Sequence, residues 1–242
     1  MPAKPTPAST EIETKQRIVD TAIELFSQNG YRGTTVALIC EHAKVNLAAV
    51  NYHFHSKLEL YVHIWCAALA RETESNPFDG GVSADASAED RLNGRIRSLI
   101  QRFVQPDAPS KLAMLIIHEL ANPTDPAVDK VRSQAMLPPH TAIRELVREM
   151  LGDDATDRDV LFTTMSIFSS VVGLGLQQQS LYRRDPWSKA DGQAAHEMLP
   201  GGVLRQAIEA DGGFEALIQH ITSFALAGVS AVRRRIETRG TV

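Results

Sequence analysis

Apolar residues recur along this chain at intervals of three and four, the repeat of an α-helix, from near the N-terminus almost to the end. Alternating apolar and polar stretches between turn residues, the mark of strands, hardly occur, so the pattern predicts an all-α fold. Thr10-Glu11-Ile12-Glu13 has the form of a capping box and opens a helix that runs to about Asn29, with Ile18, Ala22, Leu25 and Phe26 on one face. Gly30 ends it, because the residue after a helix often takes a positive φ that only glycine adopts without a Cβ clash. A second helix starts at Thr34-Thr35 and reaches about Ala43. A third covers Leu47 to Phe54. Ser56-Lys57-Leu58-Glu59 is another capping box, opening a helix to about Ser75.

Asn76 to Ser87, with Pro77, Gly80 and Gly81, reads as a loop and as the softest boundary along the chain. Further helices are predicted at 88–105, 111–121, 125–151, 157–182 and 213–236. Pro138-Pro139 should break or kink the third of these, since proline lacks the donor and crowds the preceding turn. Residues 183–213 read as a long loop with one short helix near Leu204 to Ala210. No repeat at solenoid periods is present. The organisation predicted is a disordered arm over 1–10, a helix-turn-helix domain over 11–56, a connecting helix over 57–75 and a larger helical domain over 76–242.

The two short helices around Lys44-Val45-Asn46 have the dimensions of a helix-turn-helix. Val36, Ile39, Cys40 and Ala43 supply an inner face, Val45 a plug, and Asn46 a side-chain cap for the next helix. In that helix Val50 and Phe54 lie one turn apart and face inward. Leu47, Ala48, Ala49, Asn51 and Tyr52 are left facing outward, and small residues at its start let the backbone approach the floor of the DNA major groove. Tyr52, His53 and Lys57 suit phosphate oxygens on one flank. Tyr31, Arg32 and Thr35 stand at the start of the second helix, whose free N–H groups attract phosphate on the other flank.

Composition changes this picture little. The chain has 242 residues, 43% hydrophobic and 22% charged, with a net charge of -4, so positive potential must be local if DNA is the partner. Residues 1–60 hold six Lys or Arg against six Asp or Glu, whereas Arg32 to Lys57 holds three cations and three histidines against Glu41 alone. Cys40 and Cys66 are too few for a disulfide framework and read as buried, reduced thiols of a cytoplasmic protein. The start of the chain lacks the apolar core of a signal peptide. No apolar run is expected to reach the roughly 20 residues that cross a bilayer, so no membrane is predicted.

At Arg17-Ile18, Ala22, Leu25-Phe26, Gly30-Tyr31, Thr34-Thr35, Ile39, Ala43, Val45, Asn51-Tyr52-His53-Phe54, Ser56-Lys57 and Leu60-Tyr61 the chain resembles the N-terminal domain of the TetR family of repressors. Two positions depart from that pattern. Lys44 stands where the family usually has glycine in the turn. Asn51 stands where many members have tyrosine, which exchanges a phosphate or thymine contact for an amide that suits adenine. From Leu112 onward, through His118-Glu119, Asn122-Pro123-Thr124 and the helix after Asp125, the chain resembles the CecR-like branch of the family.

The resemblance implies a ligand-responsive repressor whose large domain dimerises and binds a small-molecule effector, its identity unnamed by the sequence. Two helices carry apolar strips with small residues suited to close approach about a two-fold axis: Phe162, Ser169, Gly173 and Leu176 on one, Leu217, Ile221, Phe224 and Gly228 on the other. Such a homodimer would read a palindromic double-stranded operator. His118 and Glu119 are candidate polar contacts to the effector, with Met114, Met136, Met165 and Phe168 as adaptable apolar wall.

An enzyme is the rival class, and the motifs speak against it. Gly173-Leu174-Gly175 lacks the third glycine and the preceding strand of a dinucleotide loop. There is no Gly-x-Ser-x-Gly, no P-loop and no His-Glu-x-x-His. No catalytic residue, metal or cofactor is expected; His53, His55, His63 and Cys66 are spaced so that helix neighbours point apart. A third reading, a helical dimeric interaction protein that has lost DNA binding, is kept open by Lys44 and the near-neutral N-terminal unit.

Overall fold

A computed structural model of the chain describes residues 7–105, 109–124, 128–182 and 200–239. These form ten helices and, among the described residues, no strand: α1 Pro7–Gly33, α2 Val36–Ala43, α3 Leu47–Phe54, α4 Lys57–Ser75, α5 Ala88–Phe103, α6 Lys111–Ala121, α7 Asp129–Leu151, α8 Asp157–Tyr182, α9 Pro200–Glu209 and α10 Gly213–Arg239. They divide into two compact units, residues 1–72 with 111–134, and residues 73–110 with 135–242.

In the first unit the predicted face of α1 is the buried one, with Ile18, Ala22, Leu25 and Phe26 all in the core. The helix starts at Pro7 rather than at the Thr10 cap, so part of the expected arm is helical. Proline is well tolerated in a first turn, where its missing N–H has no partner to lose. At Gly30 the path leaves helical geometry at φ 67°, and a Cβ there would stand 3.0 Å from His118 Nδ1. Only glycine meets both demands. The fully buried Thr34 closes this break, its Oγ1 lying 3.1 Å from the Leu25 carbonyl and 2.9 Å from that of Gly30.

Helix α6 belongs to this unit, where the sequence pattern places it in the larger domain. Leu112, Ala113, Leu115, Ile116 and Ile117 make it apolar around most of its circumference, so nothing in its periodicity selects one neighbour over another. The cysteines also differ from expectation: Cys40 is half-buried and Cys66 exposed. On α4 the core face is taken by Leu60, Tyr61, Ile64, Trp65 and Ala68, which turns Cys66 outward.

In the second unit α5, α8, α9, α10 and the later part of α7 surround a core that includes Leu92, Ile96, Ile100, Val147, Val160, Val171, Ile218 and Val229. Ion pairs edge it, including Arg91–Glu149, where Nη2 reaches both carboxylate oxygens (2.7 and 2.8 Å), and bidentate Arg97–Glu215 (2.9 and 2.6 Å). The loop after Asn76 is tied to α5. Ser98 Oγ donates to the Pro77 carbonyl at 2.8 Å and lies 3.0 Å from Asn76 Oδ1, and Arg102 Nη2 donates to the Asn76 carbonyl at 2.7 Å while its guanidinium covers the Phe78 ring.

Helix α7 runs through Pro138 and Pro139 without ending, so of the break or kink expected there the break does not occur. Proline's fixed φ is itself helical, so the pair removes two amide donors without ending the helix. The short helix expected near Leu204–Ala210 appears as α9, longer by one turn at its start. Residues 183–199, the rest of that expected loop, lie outside the described residues. The segments Asp157–Gln177 and Gly213–Arg239 are each long and apolar enough, by length and composition, to cross a membrane, which corrects the expectation that none is. Their Thr, Ser and Gly residues interrupt the apolar pattern to the eye yet carry no charge.

Candidate nucleic-acid interface

The site is built on α2, its turn and α3, and each join is set by a local hydrogen bond. Thr35 caps α2 by accepting from the Leu38 N–H at 3.1 Å. Ile39 and Ala43 bury the inner face, with Val36 and Cys40 half-buried beside them. Lys44 then adopts the left-handed conformation at φ 53°, ψ 48°, and the Val45 N–H closes the turn on the Cys40 carbonyl at 3.0 Å. Asn46 caps α3 by accepting from the Ala49 N–H at 2.9 Å. Ser56 does the same for α4, accepting from the Glu59 N–H at 3.1 Å. Between α3 and α4, His55 holds a second positive φ, 55°, which the sequence does not announce.

Val50 and Phe54 root α3 in the core, so its opposite face is free. Leu47 is 55% exposed and Tyr52 69%; Ala48 and Asn51 are exposed, and Ala49 and His53 half-buried. This face carries no Asp, Glu, Lys or Arg. On the flank, the Lys57 ammonium lies 4.1 Å over the centre of the Tyr31 ring. Partial burial lowers the Lys57 pKa from its ordinary value. Tyr31, expected at phosphate, is half-buried in an aromatic stack, 6.1 Å from Phe26 and 4.9 Å from Tyr61 between ring centres. Arg32 and Thr35 are exposed at the start of α2.

A cation missed from the sequence is Lys15, whose Nζ lies 5.8 Å from the Phe54 ring centre. Phe54 also meets His63 at 5.3 Å, and burial, with the charge of Lys15, lowers the His63 pKa. Lys15 is separated from α3 by some thirty residues, and only the packing of α1 brings it there.

The residues proposed to meet an effector fall in different units. Met114, His118 and Glu119 stand on α6 in the first, and Met136, Met165 and Phe168 in the second. His118 Nε2 is 3.2 Å from the Ser27 carbonyl. Glu119 is 1% exposed and accepts from Tyr61 Oη at 2.8 Å, from the Thr124 N–H at 3.0 Å and from the Thr124 hydroxyl. Phe168 stacks on His140 with ring centres 5.1 Å apart, whereas Met165 is 48% exposed.

The two apolar strips lie side by side. Between α8 and α10 runs a groove of about 220 Å³ lined by Phe162, Ser166, Ile221, Phe224, Gly228 and Val232 among others, with Asp159 and Arg235 at one end. Phe162 is 63% and Phe224 68% exposed, and Ser169 and Leu176 are exposed as well; Gly173, Leu217 and Ile221 are partly covered. Nothing stands within 4 Å of where a Cβ would be on Gly173 or Gly228. Asp159 accepts from the Thr156 hydroxyl at 2.6 Å and from Arg235 Nη2 at 3.0 Å. The Thr156 hydroxyl first, then Arg239 and Arg235, hold its pKa below the usual carboxylate value. The sequence showed Asp159 only as an acid in a first helical turn, with no sign of its distant arginines.

Residues 18–64 match the family described as bacterial regulatory proteins, tetR family, and residues 88–199 match the C-terminal domain of the HTH-type transcriptional dual regulator CecR. Over 188 residues the chain is 26% identical to the HTH-type transcriptional dual regulator CecR of Shigella flexneri, covering 74% of this chain and 83% of that protein. It is 45% identical over 47 residues to the biofilm operon icaADBC negative transcriptional regulator IcaR of Staphylococcus aureus, 19% of this chain and 25% of that one. Among solved structures, the fatty acid degradation regulator FadR from Bacillus halodurans superposes on 93% of this chain and 98% of its own, with a TM-score of 0.57 at 14% identity. A TetR-family transcriptional regulator from Rhodococcus sp. covers 91% of this chain and 99% of its own, at TM-score 0.56 and 15% identity. These two likenesses are of fold.

Proposed function

The chain belongs to the TetR family of transcriptional regulators, in its CecR-like branch, and we propose that it is a cytoplasmic, homodimeric repressor of a palindromic operator, released by a small-molecule effector. The observation that carries DNA binding is the exposed, uncharged face of α3, held between two capped helix starts and flanked by Lys57. Leu47 and Ala48 offer apolar contact to bases, and the Asn51 amide pairs with an adenine edge. Tyr52, His53 and Lys57 grip phosphate beyond the end of α3; Arg32, Thr35 and the N–H groups of α2 grip it on the other side.

Dimerisation is supported by the α8–α10 groove, whose large apolar side chains and open glycines accept the same two helices of a second copy. Two recognition helices one DNA turn apart then require a two-fold symmetric site. An effector bound in the second unit, with Met136, Met165 and Phe168 as candidate wall, releases the operator to the extent that it favours the state with displaced recognition helices. The chain performs no catalysis in this reading and needs no cofactor.

The deciding experiment is a salt-dependent mobility shift with the DNA upstream of the protein's own gene. Asn51→Ala should relax base preference at one position of each half-site. Lys57→Ala should weaken all sequences alike and lower the salt slope by about one counterion. A folded dimer that binds no duplex at low salt would sink the proposal, and transcription that falls when the gene is deleted would reverse its sign from repressor to activator.

A further inference from the structure

We propose that Glu119 is a positioning residue for DNA binding, its buried carboxylate fixing, through Tyr61, the aromatic surface on which the Lys57 ammonium rests. This rests on the reading of Lys57 as a phosphate contact. Burying a carboxylate is costly, and it persists only where its oxygens are met by donors. Glu119 is so met: Tyr61 Oη donates at 2.8 Å, the Thr124 N–H at 3.0 Å, the Thr124 hydroxyl donates too, and Arg132 Nη1 stands at 3.6 Å.

Tyr61 is itself fully buried, so Glu119 takes its hydroxyl where water cannot. That bond anchors the hydroxyl end of the Tyr61 side chain, whose ring meets Phe26 edge-on at 4.8 Å and Tyr31 at 4.9 Å. Tyr31 in turn presents its face to Lys57 Nζ at 4.1 Å. One contiguous set of contacts thus joins the segment following α6 to a cation at the edge of the DNA-reading helix, all within the first unit. A leucine at 119 would fill a core of this kind as well; it could not orient a phenol.

The test measures affinity and salt slope for a random-sequence duplex of about three helical turns at low salt, since a phosphate contact is independent of sequence. The full chain is compared with Lys57→Ala, Glu119→Gln, Tyr61→Phe, Tyr31→Leu and the Glu119→Gln/Lys57→Ala double variant, each shown folded by its thermal transition. Glu119→Gln and Tyr61→Phe should bind about fivefold more weakly with a slope reduced by about 0.9, one counterion's worth, as Lys57→Ala does. Adding Lys57→Ala to Glu119→Gln should then change nothing further. Additive losses in the double variant overturn the proposal. Should Glu119→Gln fail to fold, Tyr61→Phe decides, because it removes only the hydroxyl that Glu119 accepts from; an unchanged slope there also overturns it. An unmodified chain that binds no duplex at low salt refutes the Lys57 reading itself. One that binds, with additive variants, refutes only the positioning role.

Discussion

Lys44 holds the left-handed conformation in the turn of the helix-turn-helix, at φ 53° and ψ 48°. A side chain there places Cβ against its own carbonyl, at a cost of roughly 1–2 kcal/mol. Replacing Lys44 with Gly removes that strain but gives the unfolded chain more freedom, which returns about 0.4–1 kcal/mol. The difference leaves the Gly variant about 0.5–1 kcal/mol more stable than a Lys44→Ala variant, which loses the same charge and keeps the same Cβ. For a chain of this size that corresponds to about 1–4 °C in the melting temperature. The assay is thermal unfolding of both variants in one buffer, with hydrogen exchange at the Val45 amide, bonded to the Cys40 carbonyl at 3.0 Å, as the local reading. A Gly variant less stable than the Ala variant, or faster exchange at Val45 in the Gly variant, would refute the idea that the turn is strained. Because Asn46 still caps α3 in either variant, any difference in DNA affinity between them would report on the turn's stiffness rather than on charge.

Three further outcomes follow from the geometry. Gly30→Ala should destabilise the first unit by about 1–2 kcal/mol, since it combines a positive φ with a Cβ 3.0 Å from His118; a melting temperature at or above that of the parent would contradict this. Gly228→Leu adds a side chain where nothing stands within 4 Å, so the chain should fold as before while sedimentation shows a monomer; a persistent dimer would place the interface elsewhere. The carboxyl of Asp159 has its pKa lowered in the folded chain, so its contribution is present above the unfolded value near 4 and is lost as pH falls through the folded one. The gap in stability between the parent and Asp159→Asn should therefore close on acidification below about pH 4, and a gap that stays constant to lower pH would show that Asp159 acts through packing alone.

What the sequence determined by itself is local. The helix period, the Asn46 and Ser56 caps, the glycine break at residue 30 and the outward set on α3 all depend on hydrogen bonds and side-chain spacing within about one helical turn, so residue order alone makes them legible. Of the break or kink expected in α7 at Pro138-Pro139 the break does not occur, because proline's own φ is compatible with a helix. What only the tertiary structure decided is which buried surfaces meet. Helix α6 is apolar on most sides and could have packed anywhere; its place against α1 puts His118 on the Ser27 carbonyl and Glu119 on Tyr61, 58 residues away. Tyr31, a phosphate candidate by position, is a half-buried ring beneath Lys57 for the same reason. Hydrophobic burial is non-directional and blind to sequence separation, so a pattern of apolar residues says that a face is covered and only the folded chain says by what.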